Sequence, residues 1–82
     1  MTAKERVKAK AVLCRNVRGY IKRHMLQITD YDYAEYITDA ITDEVAEDML
    51  ETSDCVNTGE WSFGDADRAI GRVLCKRLGI EV

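Results

Sequence analysis

"ITDYDYAEYITDAITDEVAEDML", residues 28–50, contains both the start and the body of a helix, and its reading makes the chain all-α. At the start, Thr29 is placed as an N-cap and Asp32, three residues on, completes a capping box. Ile28 and Tyr33 stand where a hydrophobic staple belongs. In the body, Ile37, Ile41, Val45 and Met49 recur every four residues, with Tyr33, Ala40 and Leu50 beside them, which is the spacing of a helix with one buried side. A second helix from about residue 30 to 52 is predicted.

Upstream, the segment 3–26 carries Val7, Cys14, Ile21 and Ile28 at intervals of seven. Ala11, Val17 and Met25 fall between them, and Leu13 and Tyr20 widen the stripe. One long first helix follows. Gly19 in its middle costs about 1 kcal/mol relative to Ala and marks either a close helix contact or a kink. Downstream, the Asn, Thr and Gly of "SDCVNTGEW" predict a loop of about ten residues. "WSFGDA" then repeats the start signal, with Ser62 as N-cap, Asp65 as its partner, and Trp61 and Ala66 as the staple. A third helix over 63–78 would bury Ala66, Ala69, Ile70, Val73, Leu74 and Leu78, with Gly79 as a left-handed C-terminal cap and Ile80 folding back. Three amphipathic helices in 82 residues with no Pro make a small three-helix bundle, one domain over 1–82.

The charges are laid out in blocks. Residues 1–29 hold eight Lys/Arg against the single Glu5, residues 30–67 hold thirteen acids and no Lys or Arg, and residues 68–82 hold four Lys/Arg against Glu81. On the second helix Glu35, Asp39, Asp43, Glu47 and Glu51 form a ridge at intervals of four. At about 100° per residue each lies roughly 200° from the neighbouring Ile37, Ile41, Val45 or Met49, so the ridge is expected to face away from the first helix. Glu44 and Asp48, nearer the flank, are expected to pair with that helix. Like charges four apart oppose one another, so the ridge is either a solvated face or a contact surface for a basic partner.

The first helix has a basic stripe of its own in Lys4, Lys8, Arg15, Arg18 and Lys22, and the third has Arg68, Arg72 and Lys76. These would take phosphates in an alternative reading as a nucleic-acid-binding accessory protein. A net charge of −3 and the lack of aromatics among the cations weigh against that reading. The segment between the second and third helices is also too long for a DNA-binding helix-turn-helix.

No reaction is legible. Cys14, Cys55 and Cys75 are scattered with no C-x-x-C pair, and His24 is the only His, which leaves no metal set and no Cys/His nucleophile pair. There is no phosphate loop, no H-E-x-x-H and no calcium loop, and carboxylates on a convex helix lack the pocket that catalysis needs. No cofactor is implied. No run is long enough to span a membrane and the start lacks a signal sequence, which together predict a cytoplasmic protein. The leading expectation is a small non-enzymatic protein-interaction module that presents the acidic ridge. A charge-mimicking inhibitor or adaptor is one form of that role. Its partner would be a protein with a basic surface or a second copy of the chain, the latter making a homo-oligomer. Trp61 is placed as a lid on the core, with an interface role as the alternative.

Overall fold

Each of the three helices begins at a side-chain oxygen. Helix α1 spans Ala3–Leu26, α2 Tyr31–Thr52 and α3 Phe63–Leu78. At α1 the Glu5 N–H donates to Thr2 Oγ1 at 3.2 Å. At α3 the predicted box forms in both directions: Asp65 N–H to Ser62 Oγ at 3.2 Å, and Ser62 N–H to Asp65 Oδ2 at 3.1 Å. At α2 the cap is Asp30, not Thr29, with the Tyr33 N–H donating to Asp30 Oδ1 at 2.8 Å. A carboxylate at the positive end of a helix dipole is a stronger acceptor than a hydroxyl, and it sets the start one residue later. In that register Ile28 and Tyr33 are both exposed and form no buried staple.

The computed structural model describes residues 2–52 and 60–78. Among them there is no strand, and the chain is an all-α three-helix bundle. Most of the predicted long loop, the Leu78 side chain, Gly79 and Ile80 lie outside the described residues. No helix among those described is long and apolar enough to cross a membrane.

The core is built from rows of residues four apart. On α1 the buried row is Leu13, Val17, Ile21 and Met25. Only Ile21 of the seven-residue series is fully buried. Cys14 is half-buried, and Val7 and Ile28 are each 69% exposed. Such a row is inclined to the helix axis, so a residue on the apparent apolar side at one end of a helix ends on the outside at the other. Ile28 lies beyond the last turn of α1.

On α2 two adjacent rows are buried: Ile37, Ile41, Val45 and Met49, as expected, and Ala34, Thr38, Thr42, Ala46 and Leu50, of which only Leu50 was expected. The Thr38 and Thr42 hydroxyls donate to the carbonyls of Ala34 (2.6 Å) and Thr38 (2.5 Å) within the helix. With the polar atom satisfied locally, the methyl group is free to pack in the core. Tyr33, expected inside, is 49% exposed.

On α3 Ala66, Ala69, Ile70 and Val73 are buried and Leu74 half-buried. Helix α2 packs against both other helices, and direct contact between α1 and α3 is the smallest of the three interfaces. That last contact centres on Tyr20, whose hydroxyl donates to Asp67 at 2.5 Å and whose ring stacks on Phe63 at 4.9 Å. Trp61 sits half-buried against the core with its ring edge-on to Tyr20, which fits a lid. Helix α1 runs unbroken through Gly19, so there is no break there.

Candidate interaction surface

The acidic ridge of α2 does not face away from α1; it lies along it. Glu35 pairs with Lys22 at 3.4 Å, Asp39 with Arg18 at 2.6 Å, Asp43 with Lys10 at 2.9 Å, and Glu47 with Arg6 at 2.6 Å and Lys10 at 3.1 Å. Glu51 reaches Arg6 at 3.7 Å. The cations belong to one row on α1, Arg6, Lys10, Arg18 and Lys22, with Cys14 filling the fifth place opposite Asp43. Two rows of period four therefore run antiparallel, base against acid.

The expectation failed because the ridge was measured against only one of the two buried rows of α2. Relative to Ala34, Thr38, Thr42 and Ala46, each acid lies only about 60–100° around the helix, at the edge of the core. The flank assigned to α1 in turn belongs to α3, where Asp48 pairs with Arg72 at 2.5 Å and Glu44 with Arg77. Arg77 also donates to the Ala40 carbonyl at 2.9 Å, tying the end of α3 to the middle of α2. Arg6, Lys10 and Arg77 were not singled out from the sequence. Their signal was the shared interval of four in α1 and, for Arg77, a place in the last turn of its helix.

The pairing moves the titrations in the directions it should. Hydrogen bonds first from Arg6 and then from Lys10 hold the Glu47 carboxyl below the usual carboxylate range, against a smaller opposing effect of burial. The bond to Glu47 raises Arg6, and bonds to Asp43 and then Glu47 raise Lys10. A carboxyl whose folded pKa is lowered contributes stability in full above its unfolded pKa, about 4.3 for Glu, and loses it as pH falls through the lowered folded value. Urea midpoints of the native chain and Glu47→Gln should therefore differ by a constant amount near neutral pH and converge below about pH 4. An undiminished difference at low pH would rule out the ion pair as its source.

The remaining chemistry is sparse. Burial and then the Asp43 carboxylate push the Cys14 thiol up, which disfavours the nucleophilic thiolate. Cys14 and Cys75 are both half-buried and free. Among the described residues no three His, Cys, Asp or Glu side chains are grouped to hold a metal ion. An open groove of about 460 Å³ runs between Glu44, Glu47, Asp48 and Glu51 of α2 and Arg72, Val73 and Lys76 of α3. Three of its acids already have close cationic partners within the chain, and Glu51 has a longer one.

The chain matches no family model, no curated protein and no solved structure. The surface has to be judged on its own geometry.

On α1, what the pairing leaves over among the described residues is basic apart from Glu5. Of the cations singled out from the sequence, Arg18, Lys22, Arg72 and Arg68 are engaged, the last with Asp65 at 2.8 Å. Lys76 lines the groove. Lys4, Lys8 and Arg15 are exposed and, among the described residues, make no ion pair; Arg23 is in the same position. They occupy two adjacent rows on the outward side of α1: Lys4, Lys8, Val12 and Asn16, and Val7, Ala11, Arg15, Gly19 and Arg23. Every one of these nine residues is exposed.

Proposed function

We propose that the protein is a non-enzymatic interaction module whose contact surface is the outward side of α1, and that its partner is a protein with an acidic surface. The observation that carries the reading is the composition of that side. Lys4, Lys8, Arg15 and Arg23 are unpaired among the described residues, and they surround Val7 and Val12, which are 69% and 49% exposed. Unpaired cations set the sign of the partner. The valines favour a protein over a polyphosphate chain, because apolar side chains gain nothing against phosphates but supply the buried centre of a protein interface.

The acid row of α2 is a poorer contact surface, since a basic partner would have to displace Arg6, Lys10, Arg18 and Lys22 from it. A second copy of the chain is disfavoured for the same reason. The acids of the α2 row, which would meet α1 of another molecule, are engaged within their own.

The test is affinity capture from the protein's native cells with the full chain and with Lys4→Glu/Lys8→Glu/Arg15→Glu, whose retained helicity is checked by circular dichroism. A partner held by the native chain and lost by the triple variant is expected, with weakening at raised salt. Tight, steeply salt-dependent retardation of duplex DNA or RNA by the native chain would overturn the reading in favour of nucleic-acid binding.

A further inference from the structure

Nothing among the described residues requires a glycine at position 19. It lies in the interior of α1, where Gly costs about 1 kcal/mol relative to Ala. A Cβ built on it would meet nothing within 4 Å among the described residues, so neither a tight contact with them nor a special backbone conformation requires glycine there. Its place is on the outward side toward the C-terminal end of α1, four residues after Arg15 and four before Arg23, beside the row that holds Lys8 and Val12.

A glycine in such a place lets a second backbone come close, which is how two helices pack at short range. The flanking residues say what kind of backbone. Arg15 and Arg23 stand one turn to either side along the axis, Lys4 and Lys8 continue the positive charge toward the N-terminus, and Val7 and Val12 add exposed apolar surface on the two adjacent rows. We infer that the partner presents an acidic α-helix that packs lengthwise on the outward side of α1 and approaches most closely at Gly19. This rests on the proposed contact surface and adds the form of the partner to it.

Gly71 of α3 provides a matched control. It too is exposed in mid-helix with nothing within 4 Å of an added Cβ. The cations beside it, Arg68 and Arg72, are however paired with Asp65 and Asp48. Gly→Ala at either position should raise the thermal midpoint through helix propensity alone.

The binding probe is a fluorescently labelled synthetic peptide, helical on its own, with Leu at intervals of three and four and Glu on the flanks of that stripe. Anisotropy is measured with the native chain, Gly19→Leu, Gly71→Leu and Lys4→Glu/Lys8→Glu/Arg15→Glu. Binding by the native chain, a loss of about tenfold or more with Gly19→Leu and no loss with Gly71→Leu are expected. If the charge variant abolishes binding while Gly19→Leu does not, the surface stands and close helix packing falls. No binding of the peptide, or equal binding of an extended poly-glutamate of the same charge, overturns the helical partner. Binding unchanged by the charge variant overturns the surface itself.

Discussion

Ile41→Ala should cost about 2–5 kcal/mol, read as a lowered urea midpoint with little change in the slope of the transition. Ile41 is fully buried in the middle of α2, the helix that both others pack against. Removing its branched side chain forfeits its transfer free energy and leaves a space that the surrounding core side chains would have to shift to fill. A chain of this length has roughly 4–12 kcal/mol to lose, so the variant should sit near its unfolding threshold. Val12→Ala, on the exposed side of α1, should stay within about 0.5 kcal/mol of the native chain. Equal effects at the two positions would mean that the buried side of α2 is misplaced.

The helices were legible because their signals are local. Apolar residues at intervals of three and four, oxygen caps at Ser62 and at the turn before α2, and the lack of Pro all act within a few residues of chain, and the predicted spans of α1 and α3 match the structure, with α2 starting one residue later than read. What was not legible is how far each helix is rotated about its axis. That depends on small and amphipathic residues that carry little hydropathy: Ala34, Thr38, Thr42 and Ala46 double the buried width of α2, and their inclusion turns the acid row from the far side to the edge of the core.

Once the rotation is wrong, every charge assignment inherits the error. Glu44 and Asp48 moved from α1 to α3, Lys22 and Arg18 moved from a free basic stripe into ion pairs, and Arg6 and Lys10 entered the pairing unannounced. Lys4, Lys8 and Arg15 belong to the same basic stripe, and they are exposed. Their importance shows only after the other cations are accounted for, because a net charge of −3 says nothing about which charges are already matched.

The acid block is thus half of an antiparallel seam, whose other half is Arg6, Lys10, Arg18 and Lys22. No single exposed pair in such a seam contributes much, but aligned rows act together on register: sliding α1 along α2 by one turn would leave an end pair unmatched, and rotating either helix would separate the rows. Reversing one row converts every contact to repulsion between side chains held on adjoining edges of the core. The expected consequence is far larger than that of neutralising any one residue, and it should be partly relieved by salt, which screens like charges at these exposures.

The direct test is the thermal midpoint, by circular dichroism at low ionic strength, of a chain carrying Glu35→Lys, Asp39→Lys, Asp43→Lys and Glu47→Lys, alone and combined with Arg6→Glu, Lys10→Glu, Arg18→Glu and Lys22→Glu. The single-row reversal should lower the midpoint by on the order of 10 °C or more, or abolish the transition, and the combined reversal should restore most of the loss. A single-row reversal that melts like the native chain, or a combined reversal no more stable than the single one, would place the acid row on the solvent and contradict the seam.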